Sequence, residues 1–121
     1  MPTLWLDDVR KPWQHGYMGA EWVTTAADAI DRLRTGRFDF ASLDHDLLEE
    51  HYPWNCPDIS KAVGTGHDVT LWLAANPEYW PVNGVRIHTH NPEGFRRMLP
   101  PVLEHYGRTF QVGDDVYKEL S

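Results

Sequence analysis

The sequence predicts an α/β domain built on parallel strands. Short apolar runs alternate along the chain with segments of helical period, the pattern of βα units. Three of those runs end in chemically active side chains, and open parallel sheets bind ligands at the carboxyl ends of their strands. The length sets the scale: 121 residues, 41% of them hydrophobic, form one domain over residues 1–121. A chain of that size buries roughly two thirds of its unfolded surface.

The first strand is Leu4-Trp5-Leu6, closed by Asp7 and Asp8. A loop rich in polar and aromatic residues covers positions 9–20, and Glu21-Trp22-Val23-Thr24 forms the second strand. A helix starts at Thr25, whose hydroxyl can cap free amides, with Asp28 at the third helical position as in a capping box. Ala26, Ala29, Ile30 and Leu33 recur at i, i+3, i+4 and i+7, giving one apolar face. Gly36 ends that helix. Phe38-Asp39-Phe40-Ala41-Ser42-Leu43 reads as the most buried strand and runs into Asp44-His45-Asp46.

Residues 47–66 hold Pro53, Pro57, Gly64 and Gly66, too long a stretch for a routine connection. A second helix spans Asp68 to Ala75 with Val69, Trp72 and Leu73 inward, and Pro77 stops it. Val85-Arg86-Ile87-His88-Thr89 is the fourth strand. Asn91-Pro92 begins a third helix, where proline is tolerated in the first turn. Phe95, Met98, Leu99, Val102 and Tyr106 make its apolar face, and Pro100-Pro101 should kink or split it. Thr109-Phe110-Gln111-Val112 is a weak last strand, and the tail from Gly113 shows little pattern.

Composition narrows the function. There are 11 Lys and Arg against 18 Asp and Glu, a formal charge of −7. Such a chain is a poor non-specific binder of duplex nucleic acid, which needs cations against phosphates. The single Cys56 excludes an intramolecular disulfide framework and fits a reducing, cytoplasmic compartment. No apolar run reaches the ~20 residues of a membrane span, and no signal-peptide core is present. Six Trp and seven His are many for so short a chain. Extra His in an acidic protein points to groups that titrate near neutrality or bind metal.

The chemistry gathers at three strand ends: Asp7 and Asp8; Asp44, His45 and Asp46; and His88, Thr89, His90 and Asn91. Four carboxylates near one point cannot all stay ionised without a cation. A hard divalent ion such as Mg²⁺ is the simplest solution, while the nearby imidazoles would suit Mn²⁺ or Zn²⁺. Other readings stay open beside this one. Asp7-Asp8 can be a solvated strand terminus or a helix cap, and one Asp of the Asp44-His45-Asp46 run can cap the next turn. His45 can be a core histidine, and His88 a core or supporting residue. Asp68 stands where it can cap the second helix. Arg10 and Lys11 follow the acidic pair and could hold a phosphate. Arg96 and Arg97 lie in the first turns of the third helix, whose N-terminus attracts anions. Trp5 and Trp72 fit core positions, whereas Trp13, Trp54 and Trp80 fall in loops and could face a flat ligand. His15, His51 and His105 read as surface residues. Cys56 has no adjacent base motif to make it a nucleophile.

The order of elements, with an acidic pair after strand one, an Asp after strand three and a Thr after strand four, resembles the receiver domain of response regulators. That resemblance implies a flavodoxin-like three-layer sandwich with a parallel five-stranded sheet of order 2-1-3-4-5. It also implies Mg²⁺ at Asp7 and Asp8, a phosphoacceptor at Asp44 and a switch hydroxyl at Thr89. Two parts depart from it: no Lys ends the fifth strand, Lys118 being too far along, and the first helix is reduced to a loop. A closer resemblance spans nearly the whole chain. Leu4-Trp5-Leu6-Asp7-Asp8-Val9-Arg10-Lys11-Pro12, Ser42-Leu43-Asp44-His45-Asp46-Leu47, Gly66-His67-Asp68-Val69 with Trp72-Leu73, and His88-Thr89-His90-Asn91-Pro92 with Gly94 and Met98 are similar to the cyclic-phosphate-processing receiver-like domains. Residues 48–65 depart from that family's shorter loop.

The closer resemblance implies an enzyme acting on a cyclic phosphate of a nucleotide or RNA end. On that expectation Asp7, Asp8 and Asp44 hold a divalent cation, Mg²⁺ or Mn²⁺ with Zn²⁺ as a further option. His45, Asp46 and His88 carry acid–base work, and Thr89, Asn91, Arg10 and Asp68 bind the small phosphorylated ligand. The alternative is a degenerate receiver-type module that signals or binds a partner without hydrolysis.

Overall fold

The computed structural model describes residues 2–47, 64–89, 91–106, 110–113 and 116–119, the last two segments by their backbone. The expectations for His51, Trp54, Cys56, His90 and most of the 48–65 loop fall outside those residues. Four parallel strands form one sheet in the order β2-β1-β3-β4. They are β1 (Thr3–Leu6), β2 (Glu21–Val23), β3 (Phe40–Leu43) and β4 (Val85–Ile87). Three helices connect and follow them: α1 (Ala26–Thr35), α2 (Gly66–Ala75) and α3 (Pro92–Tyr106). No helix among the described residues is long and apolar enough to cross a membrane.

Strand alternation divides the residues between two faces. Leu4, Leu6, Ala41, Leu43, Val85 and Ile87 point to one side and join Ala26, Ala29, Leu33, Val69, Leu73, Met98 and Val102 in a single buried cluster. All three helices therefore pack on the same face, with α2 touching both α1 and α3. The three-layer arrangement expected from sequence does not form among the described residues. The opposite face has residues 9–20 as its cover, with a 3₁₀ turn at Pro12–His15. The register lines up Trp22, Trp5, Ser42 and Arg86 across that face. Tyr17 of the cover lies over Trp5 and Phe40, with ring centroids 5.2 Å and 6.1 Å away. Arg86 donates to the Tyr17 hydroxyl at 3.0 Å. Aromatic rings thus take the place of a helix, and this accounts for several of the surplus aromatics.

The cap of α1 forms as expected: the Thr25 hydroxyl accepts from the Asp28 amide at 3.1 Å, and the Gly36 amide closes the helix on Arg32 O at 2.7 Å. Three elements differ. First, α3 continues through Pro100 and Pro101 instead of splitting. Met98 and Val102, one turn apart and both buried, anchor the helix on either side of the prolines. Second, the fifth strand does not join the parallel sheet. β5 (Phe110–Gly113) pairs antiparallel with β6 (Val116–Glu119), which the tail was not expected to contain. Only an antiparallel pair can be joined by so short a connection, since a parallel one needs a crossover of a dozen or more residues. Third, Trp80 is buried rather than facing a ligand, stacked on His105 at 4.8 Å.

Candidate functional site

β1 and β3 lie side by side in register, so their carboxyl ends deliver Asp7, Asp8 and Asp44 to one place. Each of the three offers a carboxylate oxygen within 4.8 Å of the others. Asp7 and Asp44 are buried and Asp8 is half-buried.

Two glycines let helices reach this edge. A methyl group on Gly66, at the start of α2, would lie 1.9 Å from the Asp44 carbonyl oxygen. One on Gly94, in the first turn of α3, would lie 2.3 Å from His45 Cγ. Both distances are far inside van der Waals contact, so each helix docks only because a side chain is missing. The Gly66 amide then donates to the His45 carbonyl at 3.0 Å.

Asp7 is held by four donors. Its Oδ1 accepts from the Val9 and Arg10 amides at 2.8 and 2.9 Å. Its Oδ2 accepts from Arg10 Nε at 2.8 Å and from His88 Nε2 at 3.0 Å. Burial pushes the carboxyl up, but hydrogen bonds from His88, Val9 and Arg10 outweigh it and hold Asp7 below the ordinary carboxylate range. Arg10 also reaches Asp44 Oδ1 at 3.3 Å and the His88 carbonyl at 3.0 Å. Two indoles fix this turn from below: Trp22 Nε1 donates to the Asp7 carbonyl at 2.7 Å, and Trp5 Nε1 to the Arg10 carbonyl at 2.8 Å.

His88 lies behind Asp7 and is 1% exposed. Because a carboxylate only accepts, Nε2 carries the proton toward Asp7, and Nδ1 accepts from the Ser42 hydroxyl at 2.7 Å. The ring stacks on Trp5 with centroids 4.1 Å apart. Burial lowers its pKa to about 4, against the opposing pull of Asp7. His88 is thus a neutral ring with both nitrogens engaged, which orients Asp7. Sequence reading did not single out Ser42; its alternation with Asp44 on one strand was the available signal.

Asp44 behaves oppositely to Asp7. Burial and the neighbouring Asp7 charge raise its pKa to about 7, and Arg10, the His45 amide and the Thr89 hydroxyl only partly offset this. It is therefore poised near neutrality, short of positive charge.

A second network adjoins the first. His45 Nδ1 meets Asp46 Oδ1 at 2.7 Å, and Asn91 Nδ2 donates to the same oxygen at 3.1 Å. Asn91 Oδ1 in turn caps α3 through the Glu93 and Gly94 amides, both at 3.1 Å. Thr89 Oγ1 accepts from the Asn91 amide at 3.2 Å. Asp68 accepts from the Gly64 amide at 2.7 Å, closing the turn before α2. His67 was not singled out either. Burial lowers its pKa, and the neighbouring His45 and Arg97 add to that.

A parallel α/β sheet with clustered carboxylates at its carboxyl edge defines a receiver-like domain. The chain matches the cyclic-phosphate processing receiver domain over residues 3–101 and belongs to that family. Among curated proteins and solved structures, no relative matches the chain.

Proposed function

We propose that this domain is a metal-dependent phosphoesterase that opens a cyclic phosphate of a nucleotide or RNA end. The observation that carries this reading is the convergence of Asp7, Asp8 and Asp44 within 4.8 Å, with Asp44 left short of positive charge. The donor set is all oxygen, which suits Mg²⁺ or Mn²⁺ better than Zn²⁺. Such an ion, when bound, would polarise the phosphate and ease deprotonation of the attacking water. The family's name supports a cyclic phosphate as substrate.

The chain's own residues supply the rest. Hydrolysis forms a bond from water oxygen to phosphorus and breaks one ring P–O bond, whose oxygen must gain a proton. His45 is the acid–base candidate, because Asp46 fixes its Nδ1 and so sets the ring's orientation, with Nε2 as the nitrogen that would move the proton. Asn91 holds Asp46 in place. Arg10 and the Thr89 hydroxyl border the carboxylates and would contact phosphate oxygens. His88 keeps Asp7 aimed, and Asp68 shapes the turn leading to α2.

The test is release of a monoester from 2′,3′-cyclic nucleotides, with chelator and with added Mg²⁺, Mn²⁺ or Zn²⁺. Turnover that requires Mg²⁺ or Mn²⁺ and is lost in Asp44→Asn is the expected result. No turnover with any ion, together with covalent labelling of Asp44 by a small phosphodonor, would overturn it in favour of a receiver-type signalling module.

A further inference from the structure

We infer that the Arg10 guanidinium is a built-in counter-ion that a divalent cation must displace from Asp7 and Asp44. This rests on the metal reading above. Asp7 has no acceptor position left: its two oxygens already take four N–H donors, two of them from Arg10. The same guanidinium reaches across to Asp44 Oδ1 at 3.3 Å. One cationic group therefore bridges two of the three carboxylates that could hold an ion, and an ion using Asp7 Oδ2 and Asp44 Oδ1 contends with it directly.

The bridge is built to yield. The Arg10 side chain is 22% exposed while its partners Asp7 and Asp44 are 1% and 6% exposed, so the guanidinium has a way out and the carboxylates do not. The Asp44 contact is longer than the 2.8 Å contact to Asp7. The backbone amides of Val9 and Arg10 and the His88 ring would still hold Asp7 after the guanidinium left. A displaced guanidinium, still tethered beside the His88 carbonyl, stands ready for the phosphate of a ligand.

The experiment is calorimetric titration of the intact protein with Mn²⁺, for wild type, Arg10→Gln and Arg10→Lys, with thermal melts of each with and without the ion. Removing a cation a few ångströms from the ion should tighten binding by roughly tenfold or more in Arg10→Gln. That variant should melt lower than wild type without Mn²⁺ and gain more from adding it. Arg10→Lys, which keeps the charge but not the two-pronged reach, should tighten less and serves if Arg10→Gln fails to fold. Equal or weaker Mn²⁺ binding in the variants overturns the counter-ion role and leaves the metal site standing. Absence of Mn²⁺ binding in wild type and variants alike overturns both.

Discussion

Asp44 and His88 sit within one network yet respond to pH in opposite senses. Asp44 is raised from 3.8 to about 7, so the folded state holds its proton more tightly than the unfolded chain. Its contribution is present below pH ~4 and is lost as pH rises through 7, on the order of 4 kcal/mol. His88 is lowered from 6.5 to about 4, so the unfolded chain takes up the proton first. That contribution is present above pH ~6.5 and is lost as pH falls through 4, on the order of 3 kcal/mol. The two slopes offset each other between pH 4 and 6.5 in metal-free protein. Asp44→Asn removes one of them. Denaturant melts of that variant should show stability climbing with pH across the window, and a higher stability than metal-free wild type at pH 8. A profile unchanged from wild type would mean Asp44 is not the group titrating. The carboxylates were legible in the sequence because each ends an apolar run. The Ser42–His88–Asp7 chain was not, since it joins positions 46 and 81 residues apart that only the sheet register brings together.

Among the elements, α1 was the easiest to read, because its cap and apolar stripe are both local. α3 was expected to kink or split at its prolines and does not split, burial of Met98 and Val102 outweighing two absent backbone donors. The β5–β6 hairpin was hidden for a related reason: weak local patterns were settled by pairing rather than propensity. The helix N-termini that bound the site depend on missing side chains. Gly94→Ala forces a methyl group into the His45 ring, so either α3 backs away or the ring turns. A loss of about 1–3 kcal/mol is expected from such overpacking. Activity should fall further than stability alone explains, because the displaced ring is the proposed acid–base group. Comparing kcat at a temperature where both proteins are fully folded separates the two effects.

For the molecule as a whole, helices on one face and an aromatic loop on the other make an uneven sandwich. The helical face is held by aliphatic packing from three elements. The other relies on Tyr17 to shield Trp5, Phe40 and a buried Arg86. Tyr17→Ala removes ring contacts and the hydroxyl partner of Arg86 together. It should cost about 2–4 kcal/mol, below the full range for a large aromatic truncated in a core because Tyr17 is half-buried, read as a drop in denaturant midpoint. Tyr17→Phe loses only the hydroxyl and should cost about 1–3 kcal/mol. The −7 charge is divided in the same uneven way. Part of it is ordinary acidic surface. Part is concentrated at one sheet edge, where the Arg10 guanidinium pairs with both Asp7 and Asp44.

The indole bonds beneath the acidic turn give the molecule two nuclei that can be watched directly. Trp5 and Trp22 each place an N–H on a backbone carbonyl of the turn, Arg10 O and Asp7 O. With six tryptophans in the chain, a proton–nitrogen correlation spectrum contains at most six indole signals. Two of these report on the turn that carries Asp7 and Arg10, and should shift when anything enters the carboxylate cluster. Trp72 and Trp80, packed on the helical side, provide the internal reference.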